Sequence, residues 1–172
     1  MRPLSMQPLS MIVVVTGVAG SGKTTVGAML AAAMQCEYLE GDGLHPHQNV
    51  DKMSRGIPLT DADRAPWLAA IRVRILEASE RGSDLVVSCS ALKCTYRRML
   101  ARGVPIHWVY LKASPMLIRA RLGARTNHFM SVSMLDSQFD ALEEPDDAIV
   151  VNADEPPMAI AERVLLRLRD TP

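Results

Sequence analysis

The sequence predicts a single α/β domain in which helices cover both faces of a parallel five-stranded sheet. Three observations carry this. Short runs of apolar, β-branched residues suit strands buried on both faces. A helical segment follows each run, and strand–helix alternation without an internal repeat implies right-handed crossovers. A length of 172 residues suits one domain with a substantial core.

MIVVVTG, from Met11, is the first strand, closed by glycine. KTTVGAMLAAAMQ follows at once and sets Val26, Met29, Leu30 and Ala33 at helical spacing. CEYLEGD is the second strand. APWLAAIRVRILEASERG is a helix with Leu68, Ile71, Ile75 and Leu76 apolar, ended by Gly82. LVVSCS is the third strand, and KCTYRRMLARG a short helix ended by Gly103. IHWVYLKA is the fourth strand, and PMLIRARLGAR opens a helix with Pro115 in its first turn. DAIVVNAD and PMAIAERVLLRL supply the fifth strand and the closing helix. Residues 1–10, with two prolines and no apolar run, read as a flexible extension, which leaves 11–172 as the domain. Two segments stand outside the alternation, about 42–68 and about 121–140. The former shows no helical or strand periodicity until its end, and long excursions of this kind usually carry function.

Composition narrows the partners. Lysine plus arginine equals aspartate plus glutamate at 19 each, so the formal net charge is zero. Binding to nucleic acid or to an anionic membrane calls for a basic balance that this chain lacks. Three cysteines, an odd number without paired CxxC units, point to a reducing cytosol, and a cytoplasmic location is expected. The apolar run at Met11–Val15 is too short for a secretory segment or a membrane span.

GVAGSGKT, Gly17 to Thr24, fits G-x-x-x-x-G-K-[ST] between a buried strand and a helix. Its glycines let backbone N–H groups turn inward around phosphate oxygens, and the helix N-terminus adds partial positive charge. The candidate nucleotide-binding residues are Gly17, Val18, Ala19, Gly20, Ser21, Gly22, Lys23, Thr24 and Thr25. Lys23 reaches the β- and γ-phosphates of ATP, and the Thr24 hydroxyl is the candidate ligand of Mg²⁺. A GTPase would carry N-K-x-D where this chain reads VVNADEPP, and a motor or AAA-type ATPase would end its third strand in acid where this one reads SCSALK. Small-molecule kinases remain: a three-layer αβα P-loop fold with a parallel five-stranded sheet and a helical lid. Asp42 follows the second strand at the carboxyl edge of the sheet, where such folds bind ligands. It is the candidate that orients or deprotonates an acceptor hydroxyl, against the alternative of a turn residue between glycines.

The segment after Asp42 resembles the signature of the thermoresistant-type gluconokinases. The motif is D-G-x-x-H-P-x-x-N-x-x-K-M-x-x-G-x-P-L-x-D-x-D-R-x-P-W-L, from Asp42 through His45, Lys52 and Arg64 to Leu68. SCSALK with Tyr96 and Arg97, RLGARTNHFM and SMLDSQFDALEEP extend the likeness over almost the whole chain from Met11. The resemblance implies phosphorylation of D-gluconate at its 6-hydroxyl by ATP, a fold similar to shikimate and adenylate kinases, and a homodimer.

Gluconate carries five hydroxyls and a carboxylate far from its reactive oxygen, so it needs many hydrogen-bonding groups and at least one cation. Arg64, a planar fork just ahead of the PWL helix, is the first choice for the carboxylate or a hydroxyl, with His45, Lys52 and Lys93 behind it. Each has a structural alternative: loop stabilisation for His45, solvation for Lys52, pairing with Asp61 or Asp63 for Arg64. In the lid, Arg121 and Arg125 share a helical face. By resemblance to related kinases, one packs by the nucleotide and the other neutralises the transferring phosphoryl group. The catalytic candidates are Lys23, Asp42 and Arg125, and Arg121 and Arg125 both join the nucleotide-binding candidates. The rival readings are a shikimate or nucleoside monophosphate kinase, and a nucleotide-binding regulator without catalysis.

Overall fold

The computed structural model of the chain describes residues 10–123 and 132–170. The order is β1 (Ile12–Thr16), α1 (Lys23–Met34), β2 (Glu37–Glu40), a 3-10 turn (Gly41–Leu44), α2 (His47–Ser54), α3 (Asp61–Glu80), β3 (Leu85–Ser88), α4 (Cys94–Ala101), β4 (His107–Lys112), α5 (Pro115–Gly123), α6 (Val132–Ala141), β5 (Ile149–Asn152) and α7 (Pro157–Arg169). The strands lie in the order β2-β3-β1-β4-β5, and every neighbouring pair is parallel. The central strand β1 pairs Val14 with Val87 on one side and with Trp108 on the other.

Alternation along β1 divides the core in two. Ile12 and Val14 pack with Trp67, Leu68, Ile71 and Ile75 of α3 and Leu100 of α4. Val13 and Val15 pack with Val26 and Leu30 of α1 and with Ile160 and Val164 of α7. These four strand residues are fully buried, so the expected three layers are present. A third, smaller cluster joins Val18 and Leu92, in the loops after β1 and β3, to Ile118 of α5 and Leu135 of α6. It sits at the carboxyl edge of the sheet and brings α6 over the loops that follow the strands.

The segment 42–68 differs from the sequence reading. It contains α2, and α3 begins four residues before the expected start at Ala65. Buried Asn49 holds α2 by donating from Nδ2 to the Asp63 carbonyl at 2.7 Å. Thr60 caps α3: its hydroxyl accepts from Asp63 N–H at 3.2 Å, and the Asp63 carboxylate accepts from Thr60 N–H at 2.9 Å. Pro66 then falls in the second turn, where it costs the bond to Ala62 without ending the helix.

Asp63 makes this cap pH-sensitive. The Lys52 ammonium at 2.7 Å, together with the Thr60 amide and hydroxyl, holds its carboxyl at about 2. Its folded value lies below the ordinary carboxylate value of about 3.9. The stability it contributes is therefore complete above about pH 4 and is lost as pH falls toward about 2. Asp63→Asn is expected to lower the urea midpoint near pH 7, and to narrow the gap between the midpoints near pH 7 and near pH 3 relative to the unchanged chain.

Candidate active site

β1 hands the chain to the phosphate loop at Gly17. Gly17, Gly20 and Gly22 have φ of 147°, 78° and 102°, the left-handed region that side chains disfavour. A Cβ on Gly17 would lie 2.9 Å from both the Leu111 carbonyl oxygen and Ser21 Oγ, so the loop tolerates no side chain there. Lys23 opens α1 almost fully buried, and its Nζ donates to the Val18 carbonyl at 3.1 Å. The helix starts without a side-chain cap or an acidic residue in its first turn. Ser21 Oγ is buried without a hydrogen-bond partner among the described residues. A buried ammonium, an unsatisfied hydroxyl and an open helix N-terminus fit a polyphosphate.

Next to the loop lies a carboxylate that sequence reading passed over. Glu40, at the end of β2, accepts from Ser88 Oγ at 2.6 Å and from the Tyr38 hydroxyl at 2.8 Å. The Thr24 hydroxyl stands close enough to lower its pKa as well. Burial pushes the Glu40 carboxyl up, but the Ser88, Thr24 and Tyr38 hydroxyls outweigh it and hold the group below the ordinary carboxylate value. Thr24 and Glu40 form an all-oxygen pair that fits a hard divalent cation.

A cavity opens between the phosphate loop, α3 and α6. Lys23, Asp42, His45 and Arg64 line it, with Met134 and Gln138 on the α6 side. Asp42 stands in the 3-10 turn that follows β2. Gly41 fixes that turn against the sheet, since a Cβ there would lie 2.3 Å from the Ser88 carbonyl oxygen. Trp67 Nε1 donates to the Gly41 carbonyl at 2.8 Å, and the His45 ring stacks on Trp67 at 4.2 Å between centroids. Burial, and secondarily the Arg64 charge, push the His45 imidazole below its ordinary value against the opposing pull of Asp42. The shift favours the neutral imidazole.

Arg64 reaches the Leu59 carbonyl and lies 5.9 Å over the Tyr96 ring. It does not form the alternative pair with Asp61 or Asp63, because lysines engage both carboxylates. Lys93 donates to Asp61 at 2.8 and 3.0 Å, and Lys52 holds Asp63. Of the five acceptor candidates, Asp42, His45 and Arg64 share the cavity, whereas Lys52 and Lys93 do not line it.

Arg121, at the end of α5, donates to the Gly20 and Ser21 carbonyls at 3.3 Å each and to the Ala153 carbonyl. It ties the phosphate loop to the β5–α7 connection and borders a second cleft, with Thr25, Glu155 and Pro157. Arg125, His128 and Phe129 lie outside the described residues.

Residues 12–145 match the family described as an AAA domain. The match spans the phosphate loop and the strands around it, and no acidic residue ends β3. Among curated relatives, the gluconokinase of Gluconobacter oxydans (strain 621H) is 45% identical over 157 residues, covering 88% of each chain. The thermoresistant gluconokinase of Escherichia coli (strain K12) is 41% identical over 150 residues, covering 84% of this chain and 86% of its own. The chain belongs to the gluconokinase family. The crystal structure of a gluconokinase from Sinorhizobium meliloti 1021 superposes with a TM-score of 0.83 at 43% identity, covering 94% of this chain and 93% of its own. Membership makes the chain a P-loop kinase, a phosphotransferase that uses ATP with a metal ion.

Sequence reading named neither Glu40 nor Gln138 as a site residue, although Gln138 falls in the segment of about 121–140 read as a lid. For Glu40 a signal existed, an acid at the carboxyl end of a strand and two residues before Asp42. Gln138 stood in the SMLDSQFDALEEP likeness, but nothing local tied it to a cavity assembled from segments about a hundred residues apart in the chain.

Proposed function

We propose that this gluconokinase transfers the γ-phosphoryl group of ATP to the 6-hydroxyl of D-gluconate, giving 6-phospho-D-gluconate and ADP. The observation that supports this best is the shared cavity, in which Lys23 of the phosphate loop stands with Asp42 and Arg64 of the acceptor half.

Asp42 orients the 6-hydroxyl and accepts its proton as the oxygen attacks the γ-phosphorus in line with the departing ADP oxygen. Lys23 and the amides of Gly22, Lys23 and Thr24 at the open start of α1 stabilise the negative charge that spreads over the phosphates. Of Arg121 and Arg125, one holds the nucleotide and the other neutralises the transferring group. Thr24, with Glu40 beside it, would hold Mg²⁺, which would supply charge neutralisation on the phosphate oxygens. Arg64 takes the gluconate carboxylate as a bidentate fork, and His45 bonds hydroxyls. Lys52 and Lys93 reach gluconate by exchanging Asp63 and Asp61 for its oxygens.

A single catalytic domain at 11–172 works as a homodimer in the cytoplasm, with neither nucleic acid nor membrane as partner. No described helix is long and apolar enough to cross a membrane.

Arg64→Ala is expected to raise the KM for gluconate about ten- to a hundredfold, as loss of a charged hydrogen bond implies, with the KM for ATP within about twofold. A rise confined to the ATP constant would move Arg64 to the other half of the cleft. The reading as a whole is tested by ADP release across gluconate, shikimate, AMP and CMP. Turnover with gluconate is expected, and turnover with one of the others alone would transfer the chain to a different kinase activity.

A further inference from the structure

We propose that Gln138 is a positioning residue for phosphoryl transfer: through the backbone amide of Ala19 it locks α6 to the phosphate loop as the outer wall of the acceptor cavity. The inference rests on the kinase reading above and adds a residue to it.

Gln138 Oε1 accepts from Ala19 N–H at 2.7 Å, across 119 residues of chain. Ala19 is a phosphate-loop residue and lines the same cavity as Lys23 and Asp42, so this bond sits where the phosphoryl group must pass. Met134 and Ser137, neighbours of Gln138 on α6, face the cavity as well. Beneath them, fully buried Leu135 packs on Val18 and Leu92, with Phe139 and Leu142 beside it. The end of α6 is fixed a second time: Glu143 N–H donates to the Leu92 carbonyl at 2.9 Å, and Glu143 Oε2 accepts from Cys94 N–H at 2.6 Å. Two polar anchors and one apolar seat thus hold the helix against the loops that follow β1 and β3.

The residue type fits the place. A glutamine offers an acceptor oxygen to Ala19 and remains uncharged, with two amide hydrogens besides. A glutamate would keep the oxygen but bring a negative charge beside the incoming phosphates. With the bond made, the acceptor hydroxyl and the γ-phosphoryl group share a walled space. Without it, α6 loosens on the phosphate loop and water competes with the acceptor.

Two full-length variants test this, Gln138→Leu and Gln138→Glu. In Gln138→Leu, of similar volume and without an acceptor oxygen, kcat with gluconate is expected to fall about tenfold or more. Its KM for gluconate should rise and its KM for ATP stay within about twofold, with more than one ADP released per gluconate phosphorylated. Hydrogen exchange at the Ala19 amide, read in the chain alone, should quicken. Gln138→Glu should keep that amide protected yet lose turnover, which a merely structural contact would not do. Unchanged Ala19 exchange in Gln138→Leu overturns the assignment whatever the acceptor. So do equal losses in both KM values accompanied by a lower Tm. Failure of the unaltered chain to phosphorylate gluconate overturns the proposed function instead, and the Ala19 exchange still decides the role of Gln138.

Discussion

Lys23→Ala is expected to lower kcat by about a thousandfold or more, on the order of 4 kcal/mol of transition-state stabilisation. The size follows from where the ammonium sits. It is almost fully buried at the first turn of α1, 3.1 Å from the Val18 carbonyl, at a helix start without a side-chain cap. In that setting its charge interacts with developing phosphate charge at low effective dielectric. The variant should stay folded, because removing a buried cation held by a neutral carbonyl leaves no opposite charge stranded. A Tm close to that of the unaltered chain, with turnover near background, is the expected pair of readings. Turnover within about tenfold of normal would contradict the assignment of the loop.

Asp42→Asn is the second large effect, a fall in kcat of about a hundred- to a thousandfold. Asparagine preserves the shape of the turn that Gly41 and Trp67 fix, but it cannot accept the proton of the 6-hydroxyl. The KM for ATP should move by less than about twofold, since the proposed role of Asp42 is toward the acceptor hydroxyl and not the nucleotide. A change in the ATP constant without a change in kcat would reduce Asp42 to a structural turn residue.

What was legible in the sequence is what local rules encode. The run Ile12–Thr16 shows its burial on both faces in its own composition, and the glycines at 17, 20 and 22 mark positive φ by being glycine. Strand–helix alternation then gave the five strands and their layers. The 3-10 turn and α2 were not legible, because their order comes from distant partners: Trp67 on Gly41, and Asn49 on the carbonyl of Asp63. Thr60 and Asp63 did form a capping box, but with Asp in place of the usual Glu or Gln, and Pro66 drew the expected start of α3 past it.

The candidate site divides the same way. Lys23, Asp42, His45 and Arg64 belong to spaced motifs and converge on one cavity. Lys52 and Lys93 looked like free cations because their partners, Asp63 and Asp61, stand 11 and 32 residues away. Glu40 read as a strand residue until β3 placed Ser88 against it. No spacing rule connects Gln138 to Ala19; only the packing of α6 over the third apolar cluster does so.

Phosphorus NMR of the purified chain with ATP, Mg²⁺ and D-gluconate tests the transfer most directly. One phosphomonoester should grow in step with ADP, coupled to the methylene protons at carbon 6, while inorganic phosphate stays at background. ADP accompanied by inorganic phosphate alone, or an ester at any other carbon, would contradict the proposed placement of the acceptor against Asp42.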